Sequence, residues 1–146
     1  MAENVLTVEQ IRIHPGSVSK EDAMREAAAI LQGAGAVTDA YFDAMQQREL
    51  TVSTYMGNGL AIPHGTNETK DAILDSALSF VRYDGGVDWG GEQVDFVVGI
   101  AGKGDEHLDI LSQIAIIFSD EDEVEKLKSL ESPEELFAAL ATAVNE

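Results

Sequence analysis

The stretch G-N-G-L-A-I-P-H-G-T, residues 57–66, is the most informative part of this chain. It opens on a flexible turn, continues through small and apolar residues from Leu60 to Pro63, and delivers His64 just before a glycine. Proline fixes its own φ angle and lacks an N–H group, whereas glycine accepts backbone angles that a side chain forbids. The pattern predicts a short buried strand that presents His64 at a fixed angle. Spacing alone leaves one alternative, a strand-ending turn whose histidine faces solvent.

The composition is that of a globular protein without disulfides. The chain has 146 residues, 45% hydrophobic and 25% charged, which predicts a single domain over residues 1–146 with a sizeable core. Cysteine is absent, which excludes disulfides, thiolate zinc sites and cysteine nucleophiles. No apolar run approaches the length of a membrane span, and the N-terminus lacks the pattern of a signal peptide. We therefore expect a cytoplasmic protein.

The chain is strongly acidic, with a net charge of −18 from 27 acidic and 9 basic residues. We expect it to repel nucleic acid and anionic lipid, so neither a nucleic-acid partner nor direct membrane insertion is expected. A partner with a basic face should be attracted and should associate quickly. The simpler alternative is that the acidity only keeps the protein soluble.

Hydrophobic spacing predicts an α/β fold. The run Val94–Ala101 is nearly continuously apolar, which predicts a strand buried on both faces. The order of elements, one strand, two helices, three strands and then helices, predicts α/β layers on a mixed sheet. Turns are expected at 84–86 and 89–91, with Trp89 as a packing residue. The other predicted strands are Val8–Ile13, Leu60–Pro63 and Ala77–Tyr83, and helices are expected after Ser19, after Thr38, over Glu106–Ser119, from the acidic run 119–125 and after Ser132.

Two further polar residues stand where apolar residues are expected. Arg48 lies four residues after Ala44 and seven after Tyr41, so it extends the apolar stripe of the second helix. Either its stem packs while its guanidinium reaches solvent, or it binds an anion at the edge of a cleft. His107 falls in the first turn of the helix that follows the Val94–Ala101 strand. It is either a hydrogen-bonded core histidine or a neutral ring that donates to an anion held at the helix N-terminus.

Taken together, Arg48, His64 and His107 suit phosphate better than they suit metal. All three are polar groups at the ends of apolar strands or stripes, where the sites of α/β proteins lie. A metal site needs carboxylates or thiolates at matched spacing, and no such motif occurs, so neither a metal nor a cofactor is expected. The loop at 102–105 lacks the spacing of a Walker-type loop, which argues against nucleotide binding. A histidine with an unprotonated nitrogen can take a phosphoryl group directly.

Two blocks of the sequence resemble enzyme IIA of the fructose/mannitol class of the bacterial phosphotransferase system. Residues 57–65, G-N-G-L-A-I-P-H-G, are similar to the phosphorylation-site motif of that family. The segments 41–45, 48–49 and 53–55 resemble the part of the family that precedes this motif. Residues 99–112, G-I-A-G-K-G-D-E-H-L-D-I-L-S, resemble the second family block, most closely in its mannitol-specific branch. The resemblance covers nearly the whole chain.

The resemblance implies a three-layer α/β/α sandwich with a mixed, mostly buried sheet, and a phosphotransferase that works through a phosphohistidine. His64 would accept the phosphoryl group from the phosphocarrier protein HPr, which enzyme I charges from phosphoenolpyruvate, and would pass it to a cysteine of the cognate IIB domain. The IIC permease would then deliver the sugar, mannitol for this branch. His107 would orient the phosphoryl group and Arg48 would neutralise its charge, which requires the two histidine rings to lie within roughly 6–8 Å. The alternatives are a fructose-type protein, a nitrogen-related regulatory IIA protein, and a non-catalytic interaction module of the same fold.

Overall fold

The computed structural model describes residues 6–51, 53–64, 72–102 and 106–144, and for residues 51, 106–108 and 141–144 it describes the backbone alone. In these ranges the strands are β1 (Ile11–His14), β2 (Tyr55–Gly57), β3 (Leu60–Ala61), β4 (Ala77–Trp89) and β5 (Glu92–Ala101). They form one sheet in the order β1-β4-β5-β3-β2. β1 pairs in parallel with β4 and β3 with β5, whereas β4–β5 and β2–β3 are antiparallel. The sheet is therefore mixed, as predicted.

Helices cover both faces of the sheet. The first two share one apolar core with the sheet, and the last three share the other. The three-layer α/β/α architecture is therefore confirmed. The helices of the described ranges are α1 (Lys20–Gly33), α2 (Tyr41–Thr51), α3 (Glu106–Phe118), α4 (Glu121–Ser129) and α5 (Pro133–Val144), preceded by a short 3₁₀ helix (Val8–Gln10).

Strand β5 is buried on both faces, as its continuous apolar run predicts. Phe96 and Val98 belong to the core under α3, α4 and α5, whereas Val97 and Ala101 belong to the core under α1 and α2. Successive side chains of a strand point to opposite faces, so a strand between two helix layers needs apolar residues at both parities. β5 is consequently the central element of the fold.

Gly99 lets α1 approach β5 closely. A Cβ at Gly99 would lie 2.9 Å from the Cβ of Ala27 on α1 and 2.5 Å from the hydroxyl of Ser79 on β4. That hydroxyl also accepts a hydrogen bond from the Gly99 N–H at 3.0 Å. The second block of the sequence thus begins with a glycine because helix and strand meet there.

The helix starts follow the capping residues of the sequence. The Ser19 hydroxyl accepts a hydrogen bond from the N–H of Asp22 at 3.1 Å at the start of α1. The Ser132 hydroxyl does the same for the N–H of Glu135 at 3.2 Å before α5. The carboxylate of Asp120 caps α4 within the acidic run. Each cap satisfies an N–H that would otherwise lack a partner at a helix N-terminus.

Three local predictions are wrong. Four strands rather than three follow α2, because β2 has only three residues and is too short for its spacing to reveal. Val8–Gln10 is a 3₁₀ turn rather than strand, because the buried Gln10 turns its amide inward to donate to the Leu78 carbonyl. The turn expected at 84–86 is instead part of β4, which continues past it with a register shift between Arg82 and Val87. β4 has more residues than β5 between these two pairs, and such an irregularity disrupts the ladder locally and bends the strand without ending it.

The second expected turn is confirmed. Gly90 and Gly91 take φ angles of 67° and 100° and connect β4 to β5 as a hairpin. These angles lie in the left-handed region that favours glycine. Trp89, just before the turn, is 2% exposed, so it is a packing residue as predicted. In the ranges described, no helix is long and apolar enough to cross a lipid bilayer.

Candidate functional site

His64 lies at the edge of the sheet where two parallel strands end. It follows β3 and pairs with Ile100, near the end of β5, in an isolated parallel bridge. The Pro63 carbonyl accepts the Ile100 N–H at 3.2 Å, and the Ile62 N–H donates to the Thr54 carbonyl at 3.0 Å. These bonds fix the backbone of the two residues that lead into the histidine. The structure therefore supports a fixed strand end rather than a loose turn.

One hydrogen bond defines the tautomer of His64. The ring atom Nδ1 lies 2.7 Å from the Ile62 carbonyl oxygen. A carbonyl can only accept, so Nδ1 carries the proton and donates it. In the neutral ring Nε2 then carries the lone pair, since a neutral imidazole holds one N–H. The nucleophilic nitrogen of this histidine is thus Nε2.

Burial and a nearby cation keep the ring neutral. Burial is the largest influence on the half-buried His64 and lowers its pKa, and the positive charge of Arg48 lowers it further. The hydrogen bond to the Ile62 carbonyl and the negative charge of Glu49 raise the pKa in opposition. The result is a pKa below the ordinary value of 6.5. Desolvation disfavours the charged form, and a like charge nearby adds to that effect. His64 is therefore neutral at pH 7.

Arg48 comes to the site on the last turn of α2. Tyr41 and Ala44 of the same stripe are buried, and the Tyr41 hydroxyl donates to the Ile100 carbonyl at 2.6 Å. Ile100 is also the residue that pairs with His64. The stripe thus binds α2 to the strand end, and half-buried Arg48 lies near enough to act on the pKa of His64. The structure brings these two predicted site residues together.

His107 is placed by its backbone alone. It is the second residue of α3, whose range begins at Glu106, so the predicted position in a first helical turn is confirmed. Its side chain lies outside the described residues, as does the loop 103–105. The predicted approach of the His107 ring to His64 therefore stays a prediction.

Glu49 is a site residue that the sequence analysis missed. It is buried, and its charge raises the pKa of His64 while that of Arg48 lowers it. A signal was available, because Glu49 lies four residues after Met45 and eight after Tyr41 and so falls on the apolar stripe. A buried carboxylate at that position needs hydrogen-bond donors from other parts of the chain, and the sequence alone does not show which residues supply them.

The chemistry available at this edge is nucleophilic. A neutral imidazole with its lone pair on Nε2 lies near a guanidinium, which favours attack on an anionic electrophile such as a phosphoryl group. Where side chains are described, no group of three or more histidine, aspartate or glutamate residues could hold a metal ion.

A family model described as the phosphoenolpyruvate-dependent sugar phosphotransferase system, EIIA 2, matches residues 4–143. The chain belongs to this family. The EIIA 2 match contains Arg48, His64 and His107, together with both blocks quoted above. The resemblance seen in the sequence is therefore confirmed, and the chain is a member of a phosphotransferase family.

The chain is similar to known proteins over nearly their whole length. The mannitol-specific phosphotransferase enzyme IIA component of Halalkalibacterium halodurans is 49% identical over 146 residues, 100% of both chains. A solved complex of enzyme IIAMTL and phosphorylated enzyme IIBMTL from Escherichia coli matches with a TM-score of 0.86 and 34% identity, over 94% of this chain and 97% of that one. The nitrogen regulatory protein IIA-Ntr from Neisseria meningitidis matches with a TM-score of 0.79 and 28% identity, over 93% and 96% of the two chains.

Proposed function

We propose that this protein is the IIA phosphocarrier of a mannitol phosphotransferase system, with His64 as the phosphoryl acceptor. The observation that carries the proposal is the Nδ1–H bond to the Ile62 carbonyl, which leaves the lone pair of the neutral ring on Nε2. Membership of the EIIA 2 family supplies the reaction class. The 49% identity to a mannitol-specific component from Halalkalibacterium halodurans supports mannitol as the sugar.

The transfer needs no group beyond those of the two proteins. The Nε2 lone pair of His64 attacks phosphorus, a new N–P bond forms, and the N–P bond of the donor phosphohistidine breaks with its electrons returning to the donor nitrogen. The Nδ1 proton stays on the ring, where the Ile62 carbonyl stabilises the positive charge that develops. In the second step a thiolate attacks the same phosphorus, and the electrons of the N–P bond return to Nε2.

Arg48 and His107 act on the phosphoryl oxygens in this proposal. Phosphoryl transfer depends mainly on in-line positioning and on stabilising charge at the equatorial oxygens. The guanidinium of Arg48, on the last turn of α2, neutralises that charge. His107, in the first turn of α3, donates a hydrogen bond that orients the group.

The proposed partners follow from the family. HPr is the donor, the cysteine of a IIB domain is the acceptor, and a IIC permease delivers the sugar. Support for the IIB partner comes from the fold match to an Escherichia coli IIAMTL that was solved in complex with phosphorylated IIBMTL. Both partners must leave after each transfer, so we expect weak and transient interfaces.

Mass measurement after incubation with phosphoenolpyruvate, enzyme I and HPr tests the acceptor. One acid-labile phosphate per chain is expected, and His64→Ala should remove it. His14→Ala is the matched control, because His14 ends β1 at the opposite edge of the sheet and should leave incorporation intact. Incorporation that survives His64→Ala contradicts the assignment. His107→Ala should still accept phosphate but transfer it slowly to IIB.

The nitrogen-regulatory branch is the second candidate, favoured by the match to IIA-Ntr of Neisseria meningitidis at 28% identity. A protein of that branch would accept phosphate but would pass none to a sugar permease. Adding a mannitol-type IIB domain to the phosphorylated chain distinguishes the two. Rapid loss of phosphate to the IIB cysteine supports the carrier, whereas full retention supports the regulator.

A further inference from the structure

Glu49, next to Arg48 on α2, is a buried carboxylate to which the mechanism above gives no role. Its side chain is 4% exposed, and Lys20 Nζ on α1 lies 3.1 Å from it. The carboxylate accepts hydrogen bonds from the N–H and the hydroxyl of Thr54, at 3.0 and 2.6 Å, and from Trp89 Nε1 at 2.9 Å. Lys20 also lies 5.1 Å from the centre of the Trp89 ring. Burying a carboxylate is costly unless hydrogen-bond donors satisfy it, and here Lys20, Thr54 and Trp89 supply those donors.

A continuous chain of hydrogen bonds runs from Glu49 to His64. The carboxylate fixes both polar hydrogens of Thr54. The Thr54 carbonyl accepts the Ile62 N–H at 3.0 Å. The Ile62 carbonyl in turn accepts the Nδ1 proton of His64 at 2.7 Å. The orientation and tautomer of the imidazole thus depend on a backbone segment that Glu49 holds in place.

Charges of both signs act on His64 from α2. Arg48 lowers the pKa of the imidazole and Glu49 raises it. Lys20, on α1, is paired with Glu49 and reduces the negative charge that reaches the ring. From α3 the first turn brings His107, whose side chain lies outside the described residues. The acceptor is therefore balanced between opposite charges on consecutive residues of one helix.

We propose that Glu49 is a positioning residue for His64, which holds the imidazole in its Nδ1–H tautomer through Thr54 and Ile62 and offsets the charge of Arg48. This inference rests on the proposed function only in taking His64 as the acceptor. Positioning matters because a displacement of about 1 Å can reduce a rate roughly 100-fold. The group that acts on phosphorus is still Nε2.

Two variants separate the charge of Glu49 from its geometry. In Glu49→Gln the amide oxygen can accept from Thr54 N–H and Trp89 while the amide nitrogen donates to the Thr54 hydroxyl, so the bonds persist without the charge. We expect the Nδ1–H tautomer to remain and the titration midpoint of His64 to fall. In Glu49→Ala the acceptors are lost. We expect mixed tautomers and phosphoryl acceptance slowed roughly 10- to 100-fold.

The measurements are ¹⁵N shifts of the His64 ring across pH, which report tautomer and midpoint, and the rate of phosphate acceptance from HPr. Glu26→Gln is the matched control. Glu26 is also a largely buried carboxylate, and it accepts hydrogen bonds from Tyr83 at 2.6 Å, His14 at 2.7 Å and Arg12 at 3.0 Å, but it lies on the β1 side of the sheet. Its loss should reduce stability and leave the tautomer and midpoint of His64 unchanged.

Two outcomes count against a positioning role for Glu49. The inference is overturned if the titration midpoint of His64 is unchanged in Glu49→Gln and its ring keeps a single Nδ1–H tautomer in Glu49→Ala. It is also overturned if Glu26→Gln changes the midpoint and tautomer of His64 as much as the Glu49 variants do. If Glu49→Ala does not fold, Thr54→Val, which removes only the hydroxyl bond, should give the same tautomer mixing to a smaller extent. A chain that takes no phosphate on His64 refutes the proposed function instead, and the ring titration still decides the role of Glu49.

Discussion

Replacing Gly99 by alanine tests the contact between α1 and the strand that ends beside His64. The added Cβ would lie 2.9 Å from the Cβ of Ala27 and 2.5 Å from the Ser79 hydroxyl. The hydroxyl can rotate away, but it then loses its 3.0 Å bond from the Gly99 N–H. The Ala27 methyl cannot rotate away, because it is attached to the helix backbone. The helix must therefore shift.

These two effects set the size of the loss. Overpacking a core by one methyl group costs about 1–3 kcal/mol. A buried hydrogen bond that is broken adds about 1 kcal/mol. We expect the free energy of unfolding to fall by about 2–4 kcal/mol, which in a chain of this length lowers Tm by roughly 6–12 °C.

Urea denaturation of the parent and Gly99→Ala measures this loss. Gly33→Ala is the matched control, because a Cβ at Gly33 meets nothing within 4 Å, and its stability should be equal or higher. Ala27→Gly in the Gly99→Ala background should recover part of the loss, seen as a coupling energy of at least about 0.5 kcal/mol in a double-mutant cycle. A Gly99→Ala protein within about 0.5 kcal/mol of the parent would refute the packing argument.

Three further predictions concern the site and its partners. Arg48→Gln removes a cation that lowers the pKa of His64, so the midpoint of the His64 titration, followed by NMR, should rise. Phosphate acceptance should slow roughly 100-fold. An unchanged midpoint contradicts the proximity of Arg48 and His64. The folded pKa of His64 is lowered, so protonation favours the unfolded chain and the free energy of unfolding should fall as pH drops below about 6.5. Between about pH 7.5 and about pH 5.5, urea denaturation should show a smaller loss of unfolding free energy in His64→Gln than in the parent protein. An equal loss in the two proteins counts against a lowered pKa of His64. The net charge of −18 predicts that raising salt from about 50 to about 300 mM slows transfer from HPr, and a constant rate would exclude electrostatic steering.

Much of the fold follows from local sequence rules. The caps Ser19 and Ser132 mark helix starts because serine competes well for unpaired N–H groups. The apolar run in β5 identifies the central strand because both its faces are covered. The strand order and the bulge after Arg82 depend on pairing between distant segments, which periodicity does not encode.

The site was predictable where it depends on local sequence and not where it depends on contacts that the sequence does not encode. The constrained backbone around His64 and the irregular stripe ending at Arg48 are visible in the sequence. The tautomer of His64 depends on the carbonyl two residues before it, which only the structure supplies. Glu49 was missed because its donors Lys20 and Trp89 come from remote parts of the chain. The roles of Arg48, His64 and His107, and the single domain over residues 1–146, stay predictions.

The adjacency of Arg48 and Glu49 constrains how this helix can evolve. Consecutive residues of an α-helix point about 100° apart, so one faces the histidine while its neighbour is turned into the core. Deleting or inserting one residue within Tyr41–Thr51 would rotate the rest of the helix by that angle. An insertion before Arg48 would move its guanidinium to the buried position that Glu49 now holds, whereas a deletion would move the carboxylate of Glu49 to the position that Arg48 now holds. Natural length variation should accordingly fall in the connection 34–40, while the spacing from Tyr41 to Glu49 is kept.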